Sequence, residues 1–262
     1  MSRFLLSWMV LTAAPALAQL HAAKDGPVVY SHHHVNAADV PAQTKFWTAL
    51  GGVPVKLGGG VDALRFPNVY VMVAGKAPIG PSKGSTMDHL GLQVRDLSAT
   101  VGTLRAAGYA LVTEVELPQG IKGELRDGVF TLAPSGLAIA FVMGPEGAKV
   151  ELLETKTLPW PVALHHLHFA VTDVGAVKAW YEKVFGATIP GLSLLYTQSQ
   201  APAPSKGRST DHIGFEVKDL EAFCKRLEAT GITFDRPYAW IPAAGVGLAF
   251  LTDPFGTTIE LS

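Results

Sequence analysis

The sequence predicts an α+β protein assembled from four copies of one βαβββ unit, and three observations lead there. The stretch Pro81 to Leu97 recurs almost residue for residue as Pro204 to Leu220 at a constant offset of 123, with Asp88-His89 falling on Asp211-His212 and Gly91 on Gly214. A His followed seven residues later by an Asp occurs in both stretches and twice more, as His32 to Asp39 and His166 to Asp173. Between these two residues apolar side chains alternate, as in Leu167, Phe169, Val171 or Ile213, Phe215, Val217, which is the pattern of a half-buried strand. Each His lies on the face opposite that apolar row and so away from the face that packs on a helix.

The chain has 262 residues, is 48% hydrophobic and carries a formal charge of -1, which suits two packed domains of ordinary size. This near-neutral balance excludes nucleic acid as an expected partner, because phosphates call for a basic face. Residues 1–18 read as an export signal: Arg3 supplies the charge, Phe4 to Leu11 the apolar core, and Ala16-Leu17-Ala18 the cleavage site. The expected location is periplasmic or secreted, with Gln19 as the mature N-terminus. No later stretch offers about 20 uninterrupted apolar residues, so no membrane span is expected after cleavage. The single cysteine, Cys224, falls within a helical pattern and reads as a small buried apolar residue.

The first unit opens with a strand through His32 to Asn36. Asp39 and Pro41 then start a helix carrying Phe46, Trp47 and Leu50, which Gly51-Gly52 stops. Short strands follow near Val53, Leu64 and Val69 to Val73. The second unit has a strand from His89, a helix from Leu97 to Ala107, strands near Leu111, Phe130 and Leu137 to Met143, and a closing Lys149-Val150-Glu151-Leu152. The third has its helix around Val177 to Val184. The fourth has its helix around Leu220 to Ala229 and closes with Thr257 to Leu261. Pro159 and Pro161 mark residues 155–161 as a linker, so the expected domains are 28–154 and 162–262.

The closing segments of units two and four match at an offset of 109 rather than 123, leaving 14 extra residues in the second unit. They fall around Pro118 to Asp127 and read as a charged, Gly-rich loop, a usual place for substrate contacts or a lid.

Four such units, with a His in the first strand and a Glu in the last, resemble the vicinal oxygen chelate superfamily, which includes glyoxalase I, bleomycin-resistance proteins, methylmalonyl-CoA epimerase and extradiol dioxygenases. The resemblance covers nearly everything after residue 28. It implies that two tandem domains of paired units each form a curved mixed sheet with helices outside and a divalent metal on the concave face. Carried over by residue, it implies a C-terminal site of His166, His212 and Glu260, the preferred one, and an N-terminal site of His32, His89 and Glu151.

The residue types suit this chemistry independently. Neutral imidazoles and a carboxylate on one side of Fe(II), Mn(II), Zn(II) or Ni(II) leave positions for a small substrate with two adjacent oxygens. Glu151 and Glu260 each lie between apolar neighbours, so they face the same way as the histidines. His34 and His168 lie two residues beyond the first histidines on that face, as partners of the ligands or walls of a pocket. Tyr238, Trp240 and Phe250 are further candidate pocket residues. His33 and His165 point to the helix side.

The resemblance bears on the reaction through what is missing. Phe250 stands where the dioxygenase motif has Tyr ahead of Asp253-Pro254-Phe255-Gly256, and no His occurs between His212 and Glu260. Neither Asn68 to Ala74 nor Leu192 to Gln200 contains the additional Glu of glyoxalase I. The sequence therefore favours a metal-dependent enzyme with lyase or isomerase chemistry over a ring-cleaving dioxygenase. The competing reading is a metal-free binding protein of the bleomycin-resistance type. A homodimer is left open.

Overall fold

A computed structural model describes residues 27–242 and 245–262. The expected export signal and mature N-terminus lie outside the described residues. The first unit consists of β1 (Val28–Asn36), α1 (Val40–Ala49), β2 (Val53–Lys56), β3 (Asp62–Phe66) and β4 (Val69–Ala74). The second contains β5 (Met87–Val94), α2 (Leu97–Ala106), α3 (Thr113–Glu116), β6 (Gly123–Arg126), β7 (Val129–Leu132), β8 (Ala138–Met143) and β9 (Lys149–Glu154). The third comprises β10 (Val162–Val171), α4 (Val174–Phe185) and β11 (Ser193–Gln198). The fourth is β12 (Thr210–Val217), α5 (Leu220–Ala229), β13 (Arg236–Ile241), β14 (Val246–Thr252) and β15 (Thr258–Leu261).

The recurrent Asp has a structural reason. Asp39, Asp96, Asp173 and Asp219 are the N-caps of α1, α2, α4 and α5, each accepting from the backbone N–H three residues on at 2.8 to 3.1 Å. A cap of this kind contributes about 1 kcal/mol to its helix. The seven-residue spacing is thus the length of strand between an inward-facing His and a capped helix.

The α+β class and the pairing of units into two curved mixed sheets stand as expected, but the partners differ. The eight-stranded first sheet has the order β13-β14-β15-β12-β1-β4-β3-β2, and the seven-stranded second sheet β11-β10-β5-β9-β8-β7-β6. Unit one therefore pairs with unit four through antiparallel β1 and β12, and unit two with unit three through antiparallel β5 and β10. The expected division into 28–154 and 162–262 does not coincide with either sheet. What holds the exchange is the pair of loops between units, residues 75–86 and 199–209. Ile79 N donates to Gly207 O, Thr86 N to Ala203 O, Ala203 N to Gly84 O and Ser209 N to Gly80 O.

Two further departures concern strand content. Among the described residues the third unit has a single strand after its helix, so β11 is a sheet edge where the first unit has three strands. The extra segment of the second unit is only partly a loop: residues 118–122 form a turn after α3, and Gly123–Arg126 is the added edge strand β6.

The helix-bearing sides of both sheets share one core, including Tyr30, Phe46, Leu90, Leu164, Phe185 and Phe215. Phe46 of α1 packs on Tyr109 of the second unit, with ring centroids 5.0 Å apart, and Phe185 of α4 stacks on Phe215 of β12 at 4.5 Å. Cys224 is buried in α5, free of any disulfide.

Candidate metal centres

The exchange of units regroups the expected ligands. His32 joins His34, His212 and Glu260 on the first sheet, while His166 joins His168, His89 and Glu151 on the second. The two triads expected from consecutive units have thus swapped their first histidine. In each group all four ligand atoms lie within 4.8 Å of one another. His34 and His168, expected as neighbours, stand within the clusters themselves. The signal for them was the His-x-His spacing, which puts both side chains on one strand face.

The backbone explains why the rings converge. In the β1–β12 ladder the register shifts between Tyr30 and His32 and again between His34 and Val35; in β10–β5 it shifts between Leu164 and His166 and between His168 and Phe169. Bulges on both sides of each His-x-His re-aim its side chains, a common device beside functional sites. Opposite each first histidine the partner strand carries glycine. A Cβ on Gly214 would lie 2.0 Å from His32 Cε1, and one on Gly91 would lie 2.1 Å from His166 Cε1. Only glycine leaves room for the imidazole to lie across the neighbouring strand.

Each of the four ligand histidines that starts the repeated pattern is held at Nδ1 by the residue before it. Asp211 Oδ1 accepts from His212 Nδ1–H and Asp88 Oδ1 from His89 Nδ1–H, both at 2.7 Å. Ser31 Oγ lies 3.3 Å from His32 Nδ1, and the two Nδ1 atoms of His165 and His166 lie 2.8 Å apart. His165 therefore contacts a ligand instead of facing the helix side, because it occupies the bulge. His33 does turn away, bonding Thr210 Oγ1 at 3.1 Å and packing near Trp47. Sequence reasoning missed these preceding residues, although their adjacency to each His was the available signal.

With Nδ1 engaged, Nε2 faces inward. His212 Nε2 and His89 Nε2 lie 3.1 Å from Glu260 Oε2 and Glu151 Oε2 respectively. His166 Nε2 lies 3.2 Å from Glu151 and His32 Nε2 3.7 Å from Glu260, both buried and neither with hydrogen-bond geometry to any partner. His34 instead presents Nδ1, 2.9 Å from His212 Nε2. His168 Nε2 pairs outward with Thr197 Oγ1 at 2.7 Å, leaving its buried Nδ1 without a partner. Buried imidazole nitrogens without partners are costly unless something else satisfies them.

Burial keeps His32, His34, His166 and His168 as neutral donors. Burial pushes His32 down to about 4. Burial and neighbouring histidines push His34 and His168 down to about 3. For His212 burial opposes the charge, yet its bonds to Asp211 and Glu260 outweigh burial and raise its pKa. Burial also disfavours charge on Glu151, but the close imidazoles of His166 and His89 hold it well below the carboxylate range. Glu260 is lowered in the same balance by His212 and His32.

Phe250 lies on the ligand face, its ring 5.7 Å from that of His212, and Phe141 occupies the same place over His89 at 5.5 Å. Tyr238 and Trp240 do not reach either cluster. A register shift between Arg236 and Ala239 turns them to the helix side, where they line an open cleft of about 1070 Å³ with Leu220, Phe223 and Arg226 of α5.

Around the clusters the two sheets differ. Asp211 Oδ2 accepts from Asn36 Nδ2 at 2.9 Å and Gly207 N at 2.7 Å. Asp88 Oδ2 likewise accepts from Gly84 N at 3.0 Å, but in place of the Asn36 amide Asp88 pairs with the buried Lys149, whose ammonium lies 3.0 Å from Glu116 of α3. Beyond Phe141 the second sheet carries an apolar patch of Phe130, Ile139, Phe141 and Leu153, covered by Leu117 and Ile121 of the added segment.

These features meet several known proteins. Residues 190–261 match the family model of the Glyoxalase/Bleomycin resistance protein/Dioxygenase superfamily. Glyoxalase I from Zea mays has a similar structure, with a TM-score of 0.65, 17% identity, and coverage of 91% of this chain and 93% of that one. A point mutant of the same enzyme gives 19% identity at the same TM-score. A putative dioxygenase from Bacillus subtilis gives a TM-score of 0.60 and 13% identity, covering 89% of this chain and 84% of that one. No curated protein matches the chain in sequence. Residues 190–261 thus match the glyoxalase, bleomycin-resistance and dioxygenase superfamily, and over about nine-tenths of the chain the fold is similar to that of glyoxalase I, in line with the resemblance to the vicinal oxygen chelate family.

Proposed function

We propose that the protein is an exported metalloenzyme acting on a small molecule that chelates a divalent metal through two adjacent oxygens. The observation that carries this is the convergence of three histidines and one glutamate within 4.8 Å, at two repeat-related places. When bound, such an ion supplies Lewis-acid polarisation, and four protein donors leave two of six octahedral positions, which matches a substrate with vicinal oxygens. The residues fit that role: His32 and His166 aim buried Nε2 atoms inward with no hydrogen-bond partner. Asp211 and Asp88, by accepting at Nδ1, fix the tautomer that offers Nε2 of His212 and His89.

Lyase or isomerase chemistry is favoured. The aromatic ring beside His212 belongs to Phe250, which can neither donate nor accept a proton. The first sheet is the better candidate for turnover, since among the described residues its ligand face lacks the apolar cover found on the second.

Elemental analysis of protein purified without added metal should find up to two equivalents of Mn, Fe, Zn or Ni per chain. Content near zero, with no rebinding, would support a metal-free binding protein instead. Oxygen uptake with a panel of catechols, set against turnover of thiol-aldehyde adducts, tests the reaction class; an oxygen-dependent ring-cleavage product would overturn the lyase or isomerase reading. Export is tested by intact mass of periplasmic or secreted protein, which should begin at Gln19.

A further inference from the structure

The strand registers align more than the ligands. On one side of the first cluster, His32 of β1 pairs with Tyr70 of β4, and Tyr70 with Arg65 of β3. On the other side, Glu260 of β15 pairs with Phe250 of β14, and Phe250 with Arg236 of β13. Directly paired residues point to the same side of a sheet, so both arginines share the ligand face, each two strands from a ligand. At about 4.8 Å per strand they start about 10 Å from the cluster, and a curved sheet and long side chains bring their guanidinium groups nearer.

Two contacts support this orientation. The Arg236 guanidinium lies over the Phe250 ring at 5.9 Å, and that ring packs against His212. Leu64 and Phe66, the neighbours of Arg65, belong to the helix-side core, so Arg65 faces the other way. Among the described residues neither arginine pairs with a carboxylate. Two cations without partners, facing a cluster whose buried His32 Nε2 is also unsatisfied, make a site with both a chelating centre and an anion-binding margin.

The second sheet has no such margin. The row through His166 and Glu151 ends at Ser193 on one side and, beyond Phe141, under the apolar cover on the other. The arginines are therefore a property of one site and not of the repeat.

We propose that the substrate of the first site is an anion, a molecule that carries a carboxylate or similar group in addition to its two adjacent oxygens, with Arg236 as its principal anchor and Arg65 on the opposite margin. The guanidinium fork matches a carboxylate in two parallel hydrogen bonds, and its place over the Phe250 ring holds it near the ligand face beforehand. This inference rests on the metal-chelate reading of the same site.

The test uses the full mature chain loaded with Mn(II), titrated calorimetrically with 3,4-dihydroxybenzoate and with its neutral amide, 3,4-dihydroxybenzamide. Both probes offer the same vicinal oxygens and differ only in the charged group. The expected result is affinity for the benzoate about 10-fold or more above that for the amide at one of the two metals, as charge-assisted hydrogen bonds provide. Arg236→Ala should abolish the preference while leaving amide binding and bound metal unchanged, and Arg236→Lys should retain part of it. Equal affinities for the two probes, or a preference that survives both Arg236→Ala and Arg65→Ala, would overturn the inference and leave the metal reading standing. Failure of the chain to take up Mn(II) would overturn the metal reading and this inference with it, and failure of both probes to bind the loaded protein would overturn the chelate reading on which the inference rests.

Discussion

The two histidine clusters share every ligand and differ in almost everything around them. Each has two histidines from a bulged strand, a third from the neighbouring strand, a glutamate, a glycine under the first imidazole and a phenylalanine beside the third. Outside that set the first cluster has an uncharged amide behind Asp211 and arginines at both margins. The second has a buried Lys149–Glu116 pair behind Asp88 and an apolar cover. Duplication preserved the donor set that could hold an ion, whereas the unrepeated segments decide what can reach it.

Removing a ligand from each cluster tests this division most directly. His212→Ala and His89→Ala should each lose one metal equivalent by elemental analysis. Only His212→Ala should lower turnover by about 100-fold or more, since losing a ligand costs at least as much as losing its hydrogen-bond partner. The reverse pattern would make the covered site the working one.

Gly214→Ala and Gly91→Ala come next. A methyl group 2.0 or 2.1 Å from an imidazole carbon must displace His32 or His166, so each variant should lose its own metal. Thermal unfolding should show a cost of about 1–3 kcal/mol from overpacking. Full metal content in either variant would show that the glycine is not what admits the ring.

The carboxylates behind the ligands should separate the two sites. Asp211→Asn is expected to weaken metal binding at the first site by about 10- to 100-fold, as loss of such a partner does. Asp88→Asn should do the same at the second and also destabilise the fold more, because it leaves the buried Lys149 with only Glu116 as a charged partner. Equal stability losses would remove the distinction drawn between the Asn36 and Lys149 arrangements.

The smallest effect is expected from mild acid on metal-free protein. As pH falls from about 7.5 to about 6, unfolded histidines with pKa near 6.5 take up protons that folded His32, His34 and His168 refuse, with pKa values of about 4, 3 and 3. Stability should therefore fall with pH, the raised pKa of His212 opposing this at the first site only. His34→Asn and His168→Asn should each flatten the calorimetric profile, and a profile unchanged in both would show that these rings are not buried as neutral groups.

Much of this was legible in the sequence because it is local. Period-two alternation placed His32, His89, His166 and His212 on the face away from the helices, and the 123-residue offset marked Asp88-His89 and Asp211-His212 as equivalents. Glu151 and Glu260 were found the same way. The extra 14 residues were located, but the edge strand β6 within them was missed, and their cover over Phe141 depends on contacts from a distant strand. Tyr238 and Trp240 were misplaced because parity counted along β13 fails across its register shift.

By itself the sequence determined the four repeats, the capped helices, the α+β class and six of the eight candidate ligands, since each depends on spacing within one strand or turn. Only the tertiary structure decided which ligands meet. First strands of equivalent units can satisfy the same hydrogen-bond ladder, so repetition alone permits unit one to pair with unit two or with unit four. The choice falls to the loops at 75–86 and 199–209, whose backbone groups bond to each other and carry each chain segment across to the other sheet. That crossing brings His32 to Glu260 and His166 to Glu151, and it aligns Arg65 and Arg236 on one face from residues far apart in the chain.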